Sequence, residues 1–364
     1  MKSEIHFMER AIELAKKGIY TTSPNPSVGC VISEGNKILS ESFHLRSGSD
    51  HAEVIALKKL NKKINSKMTM YVTLEPCCHF GKTGPCTKSI IESGIKNIFI
   101  SVLDPNPKVK GKGVRELRSH GINVNIGLCR SLSEDINRGF FSRIIRKIPF
   151  VIAKQAISMD LKITSPKSKW ISSKDSRKDV QYYRAKSCAI LVSSKTIKSD
   201  NPSLKAKLTK KDLDSKILIN QPIRVVLDSN LSLRPDKYKF FCGSDKKIVF
   251  NSTKNFFHKE KNIDFVKVKT DKSGLNLKEI LKILASRYEI NNLFIEPGAR
   301  LLNTLLSKNL VDELILYKSP DIIGKSGLQS FGNFDQIPKN KSIFVQSLMK
   351  LSNDVRIIYK ILRK

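Results

Sequence analysis

One histidine and two cysteines, His51, Cys77 and Cys86, set the chemistry open to this chain. A neutral imidazole and two thiolates make a three-ligand protein site for zinc, and catalytic zinc sites keep the fourth position free for water. Glu53 stands two residues past the histidine, within reach of such a water without ligating the metal. A carboxylate so placed moves protons, and the four residues together suit hydrolytic attack by an activated water. Cys78 is a rival ligand. Adjacent cysteines point in different directions, so Cys77 is expected on the metal and Cys78 in packing or behind the ligands.

The arrangement follows the H-x-E…P-C signature of zinc deaminases, whose activated water attacks a ring carbon bearing an amino group. That signature closes with C-x-x-C, whereas here eight residues separate Cys77 from Cys86. The loop between them carries His79 and Lys82, either a clamp for a substrate phosphate or carbonyl or an exposed turn. Asn25 lies between Pro24 and Pro26 in an irregular loop and on its own reads as a turn residue.

The elements that must position these groups follow from periodicity and punctuation. An amphipathic helix opens the chain from Met1 to Gly18. Strands Val28–Ser33 and Lys37–Glu41 form a hairpin through Glu34-Gly35-Asn36. Asp50 is the expected N-cap of a helix from His51 to Leu60, which puts Glu53 in its first turn. After strand Met68–Leu74, Cys77 is expected to open a helix-like turn, where a thiolate is favoured. Helix Thr87–Ser93, strand Asn97–Val102, helix Gly113–His120 and strand Asn123–Ile126 complete an α/β/α layered domain. A basic helix from Ser131 to Lys147 bounds it, giving a first domain of residues 1–147.

Residues 148–364 form a second domain, opening on strand Phe150–Ile157. Helix Lys174–Lys186, strand Ala189–Ser193, a loop from Thr196 to Pro202 and further strands follow. Glu296-Pro297-Gly298-Ala299-Arg300 leads from a strand into helix Leu301–Ser307, and a glycine there lets a phosphate approach the helix N-terminus. The alternation favours a dinucleotide-binding sheet over a second zinc site, since no His/Cys cluster occurs in this half. The only tryptophan, Trp170, lies in a polar stretch before a helix.

Composition narrows the class. The 364 residues carry 66 Lys and Arg against 33 Asp and Glu, a net charge of +33. The lysines are spread through every segment and aromatics make up only 7%, so base-stacking platforms are not indicated. The richness in Ile, Asn and Lys fits an AT-rich coding bias. No apolar run is long enough for a membrane helix and no signal-peptide core opens the chain, so a cytoplasmic protein is expected. Seven scattered cysteines, an odd count, fit a reducing compartment with a local metal cluster.

The motifs together resemble the bifunctional riboflavin-biosynthesis deaminase/reductases. The resemblance runs from Met8 to about Ile361 and rests on Asn25-Pro26-Ser27-Val28-Gly29-Cys30-Val31-Ile32, His44, His51-Ala52-Glu53-Val54 and Tyr71-Val72-Thr73-Leu74-Glu75-Pro76-Cys77. Gly81-Lys82-Thr83, Pro85-Cys86 and Asp104-Pro105-Asn106-Pro107 extend it, and the wide cysteine spacing is this family's form of the deaminase motif. The resemblance implies an α/β chain with a cytidine-deaminase-like N-terminal domain and a dihydrofolate-reductase-like C-terminal one. The first would deaminate 2,5-diamino-6-ribosylamino-4(3H)-pyrimidinone 5′-phosphate, and the second would reduce the ribosyl group to ribityl with NADPH.

By the same resemblance one Zn2+ falls to His51, Cys77 and Cys86, proton transfer to Glu53, and the deaminase substrate to Asn25, His44, His79 and Lys82. Ser168, Arg184, Leu204, Lys207 and Glu296 match substrate positions of the reductase. Ala156, Trp170, Thr196, Asp200, Ser229, Gly298, Ala299 and Arg300 match NADP positions. A homodimer through the second domain is implied, with no nucleic-acid or membrane partner. Three positions depart from the family: Leu161 stands where glycine is usual and the loop before Trp170 is short, Lys207 replaces an arginine, and Pro297 replaces a small residue. All lie in the reductase half, so a deaminase beside a decayed reductase is one alternative. A transfer-RNA-type deaminase and a zinc-stabilised RNA-binding protein are the others, though the last leaves Glu53 without a role.

Overall fold

The computed structural model describes residues 2–81, 83–209, 211–213, 219–331 and 342–362. They form two compact units, one from the chain up to Lys147 and one from Ile148 onward. Among the described residues, no helix is long and apolar enough to cross a membrane.

The first unit runs α1 (Lys2–Gly18), β1 (Gly29–Glu34), β2 (Lys37–Phe43), α2 (Ala52–Lys59), β3 (Met68–Val72), α3 (Cys86–Ser93), β4 (Asn97–Ile100), α4 (Lys112–Ser119), β5 (Asn123–Ile126), α5 (Arg130–Ile136) and α6 (Arg138–Phe141). Its sheet has the order β2-β1-β3-β4-β5. β1 is antiparallel to β2 and β3, while β3, β4 and β5 are parallel. Strand side chains alternate between faces. Cys30, Ile32, Met70, Val72, Ile98 and Ile100 therefore meet α2, α3 and α4 on one side, and Val31 and Tyr71 meet α1 on the other. The α/β/α layering follows. Gly29 permits the close seating of α1, since a Cβ there would lie 1.9 Å from the Ala11 carbonyl oxygen.

Three local expectations change. His51, not Asp50, is the N-cap residue of α2, and Asp50 instead pairs with Lys58 at 2.7 Å. Cys77 lies in a non-helical turn, and Cys86 is the cysteine that opens a helix, with Pro85 as its N-cap residue. The basic helix expected over 131–147 is broken into α5, α6 and a π-turn at Ser142–Arg146. The break falls at Asn137, whose side chain is drawn away to the backbone of Ser27.

The second unit runs β6 (Phe150–Ile157), α7 (Lys174–Lys186), β7 (Ala189–Ser193), α8 (Ser194–Asp200), β8 (Ile223–Leu227), β9 (Lys247–Asn251), β10 (Phe256–His258), β11 (Ile263–Lys267), β12 (Thr270–Asp271), β13 (Gly274–Leu275), α9 (Leu277–Ser286), β14 (Asn292–Ile295), α10 (Ala299–Ser307), β15 (Glu313–Lys318), β16 (Ser342–Leu351) and β17 (Asp354–Leu362). The large sheet has the order β10-β11-β9-β8-β7-β14-β6-β15-β17-β16. From β11 to β15 the strands are parallel. Strands covered on both faces read as apolar runs, as in Ala189–Val192. α9 and α10 cover one face, and α7 and α8 the other. Consecutive strands β6 and β7 flank β14, which opens a crevice at the carboxyl ends of the strands where such sheets bind ligands. The loop expected from Thr196 is largely helix α8, because the Ser193 side chain accepts from the Thr196 N–H and caps it.

Candidate active sites

The metal-type site is assembled from three separate turns. His51 precedes α2, Cys77 follows β3 and Cys86 opens α3, and their ligand atoms all lie within 4.8 Å of one another. His51 Nδ1 is 3.1 Å from Cys86 Sγ and 3.5 Å from Cys77 Sγ, and the two sulfurs are 3.5 Å apart. The Cys77 thiol pKa is drawn down, most by its contact with Cys86 and then by His51, against the opposing effect of burial. Cys86 is pushed up by the same contact and by burial. Cys78 points elsewhere, with its Sγ 3.8 Å from the Lys108 carbonyl.

Glu53 is 3% exposed, and burial raises its carboxyl pKa. One of its oxygens, Oε2, is buried without any hydrogen-bond partner. A buried carboxylate oxygen of that kind is costly unless a ligand completes it. The donor set also suits zinc, one imidazole and two cysteine sulfurs.

The residues expected around the substrate divide. Asn25 Nδ2 is 3.1 Å from His44 Nε2, His44 Nδ1 is 3.1 Å from the Asp50 carbonyl, and the His44 and His51 rings meet edge to face at 5.0 Å. These side chains form one cluster beside the triad. His79 follows Cys78, and its Nδ1 is buried without a partner. Lys82 lies outside the described residues. Sequence reasoning missed Asn137, which holds the Asn25 loop by a two-point bond: the Ser27 N–H donates to Oδ1 at 2.8 Å and Nδ2 donates to the Ser27 carbonyl at 2.9 Å. A partner 110 positions away leaves no local signal.

In the second unit, Ala156, Thr196, Ser229, Glu296 and the Gly298 turn fall at or just past the carboxyl ends of parallel strands, while Asp200 closes α8. Arg184 on α7 grips Glu296 bidentately, Nε to Oε1 at 2.7 Å and Nη2 to Oε2 at 2.9 Å. Gly298 is the N-cap residue of α10 and makes no side-chain cap, while Ala299 and Arg300 are its first helical residues. Among the described residues, a Cβ at Gly298 would meet nothing within 4 Å, so this side of the turn is open. Trp170 is 56% exposed, with the Arg177 guanidinium 4.9 Å from its ring centre. Ser168 donates to the Trp170 carbonyl at 2.8 Å.

Two expected contacts are altered. The Leu204 side chain is 1% exposed in the core, at φ +52°, so only its backbone can reach a ligand. Lys207 is exposed and is tied to Gln181 through its backbone N–H. Leu161 sits at φ +62°, a left-handed conformation that glycine adopts freely, which explains the family's usual residue there. Pro297 offers its carbonyl to Gln155 at 3.0 Å. Lys154 was missed. It lies in β6 with Nζ 5.6 Å from the Tyr317 ring centre, and its pKa is lowered by burial and by Arg184 against the pull of Glu296. A lysine inside the apolar run Val151-Ile152-Ala153-Lys154 was the available signal.

Known proteins share this construction throughout. The family profile for the RibD C-terminal domain matches residues 149–355, and that for the cytidine and deoxycytidylate deaminase zinc-binding region matches residues 1–102. The chain is 38% identical over 373 residues to the riboflavin biosynthesis protein RibD of Buchnera aphidicola, covering 98% of each sequence. It superposes on Acinetobacter baumannii RibD with a TM-score of 0.89 at 33% identity, covering 100% of this chain and 99% of that one. The diaminohydroxyphosphoribosylaminopyrimidine deaminase/5-amino-6-(5-phosphoribosylamino)uracil reductase of Thermotoga maritima gives a TM-score of 0.86 at 32% identity, covering 99% of each chain.

Proposed function

We propose that this chain, which belongs to the RibD family of bifunctional riboflavin-biosynthesis deaminase/reductases, works in two steps divided between its halves. Residues 1–147, holding one zinc ion, remove the 2-amino group of 2,5-diamino-6-ribosylamino-4(3H)-pyrimidinone 5′-phosphate. Residues 148–364 then reduce the ribosyl side chain to ribityl with NADPH. The observation that carries this reading is the meeting of His51, Cys77 and Cys86 around Glu53, a buried carboxylate with one oxygen unpartnered.

His51, Cys77 and Cys86 would hold the zinc, which when bound supplies a Lewis acid that activates water near neutral pH. Glu53 takes the proton from that water and delivers it to the departing ammonia. Burial raises its pKa, the direction that favours taking up a proton. Asn25 and His44, locked to each other, orient the pyrimidine, and His79 and Lys82 are assigned to substrate binding with them.

In the second half NADPH supplies the hydride, and the protein positions and polarises. The open N-terminus of α10 with Gly298, Ala299 and Arg300 takes the pyrophosphate, and Thr196, Asp200, Ser229, Ala156 and Trp170 flank the cofactor. Arg184 and Glu296 hold the substrate together with Ser168, the Leu204 backbone and Lys207, and Lys154 stands beside them as a proton-handling amine. Free cysteines throughout and the need for NADPH suit a reducing cytoplasm. The protein acts as a homodimer through its second half, where the edge strand β16 exposes Phe344, Val345 and Leu348.

A coupled assay on zinc-loaded protein tests both steps: the diamino-pyrimidinone phosphate is supplied with and without NADPH. Ammonia release and substrate-dependent NADPH oxidation are expected. Ammonia alone would assign a decayed reductase. Neither signal, from folded protein with zinc bound, would overturn the reading and turn attention to RNA and the +33 charge.

A further inference from the structure

The segment Glu75-Pro76-Cys77 delivers a metal-type ligand, yet Glu75 has no part in the chemistry above. The residue is 3% exposed, so its carboxylate has little solvent to bond. Instead it accepts three backbone N–H groups from one distant stretch. Oε2 takes Asp104 at 3.2 Å and Gly111 at 2.9 Å, and Oε1 takes Val114 at 3.2 Å.

Gly111 and Val114 are the N-cap and third residues of α4, and Gly111 supplies no side-chain cap of its own. The orphan N–H groups of that helix are thus capped from outside by a carboxylate, whose charge also suits the positive end of the helix dipole. Gly113 makes the contact close. A Cβ there would lie 2.3 Å from the Pro76 carbonyl oxygen and 3.3 Å from Glu75 Oε1, so only glycine lets α4 seat on the Pro76–Cys77 peptide. On its other side the same turn is tied to α3, for the Thr87 N–H donates to the Cys77 carbonyl at 3.2 Å and the Cys86 N–H to Cys77 Sγ at 3.4 Å. The Cys77 turn is therefore clamped between two helix starts. Cys86 holds one clamp and Glu75 the other.

We propose that Glu75 is a positioning residue for the metal triad: by capping α4 it fixes the turn that carries Cys77, and with it the spacing of Cys77 from His51 and Cys86. The inference rests on the zinc reading above. Groups that orient metal ligands from behind are worth about 10- to 100-fold in metal affinity or activity.

The test uses the full chain and two substitutions that attack the clamp from opposite sides. Glu75→Gln keeps the volume but sets an NH2 group against N–H donors, and Gly113→Ala pushes α4 off the Pro76 carbonyl. Zinc affinity is read by chelator competition, and the Co2+-substituted protein by its thiolate-to-metal absorption. NADPH oxidation on the already deaminated intermediate serves as a control on the same chain. Both variants are expected to bind zinc about 10- to 100-fold more weakly, with a shifted Co2+ band and an unchanged reductase rate. Unchanged zinc affinity and Co2+ spectrum in both variants would overturn the proposal. A reductase rate that falls as far as the zinc affinity would also overturn it, making Glu75 a residue of general stability. A parent protein that binds no zinc would instead refute the zinc reading itself.

Discussion

At the scale of single residues, the two halves place a buried ionisable group next to a polar cluster and leave it under tension. Glu53 is held in a site where burial raises its pKa and one oxygen lacks a partner. Glu53→Gln keeps the shape and removes the base, so deamination is expected to fall by about 1,000-fold. Zinc stoichiometry, measured on the same preparation, should stay at one per chain; loss of the metal would make Glu53 structural. Lys154 is the counterpart in the second half, beside the Arg184–Glu296 pair. Lys154→Met should reduce the NADPH-dependent step by about 100-fold while ammonia release is untouched. A normal reductase rate in that variant would remove Lys154 from the site.

At the scale of elements, side chains borrowed from distant segments fix the loops that carry function. Asn137 holds the Asn25 loop through two bonds to Ser27, which is buried. Asn137→Ala orphans both backbone groups and should cost about 2–3 kcal/mol in stability of the first unit. It should also raise KM for deamination, because Asn25 loses its fixed place; a stability loss with unchanged KM would separate the loop from the substrate. In the second unit Lys247 is wholly buried at the start of β9 and donates to the carbonyls of Gly243, Asp245 and Lys261 at 2.6, 2.7 and 2.8 Å. Burial, and then the nearby charge of Arg224, lower its pKa from 10.5 to about 8. Between those values the unfolded chain binds more protons than the folded one, so this lysine makes the protein more stable as pH rises through the window. Lys247→Met should therefore lose that rise as well as about 2 kcal/mol at neutral pH. Urea midpoints of parent and variant at pH 7.5 and 9.5 check both, and parallel pH slopes would contradict the linkage.

At the scale of the whole molecule, the ten-stranded sheet ends on a long strand with exposed apolar side chains. β16 is its last strand, and Leu348, Val345 and Phe344 are 66%, 60% and 54% exposed. An apolar edge of this kind invites pairing unless another chain covers it. Leu348→Glu should convert the proposed dimer to monomer in sedimentation equilibrium with each half still folded. A parent that sediments as a monomer would dispose of the dimer.

Much of this was legible in residue order. The His51-x-Glu53 and Cys77, Cys86 pattern marks the metal-type site because catalytic zinc needs those donor types, and alternation of apolar residues marks the strands because side chains leave a strand on opposite faces. The layered class and most elements followed from the same periodicities. What sequence order could not supply was which backbone groups end without local partners. Asp50 lost the capping position to His51, the basic helix broke where Asn137 turned away, and Leu204 went into the core at φ +52°. Glu75, Asn137 and Lys154 took their places for one physical reason. Glu75 and Asn137 answer backbone groups of segments far off in the chain, and Lys154 meets Tyr317 and the charges of Arg184 and Glu296, so their surroundings exist only once the sheets and helices have packed.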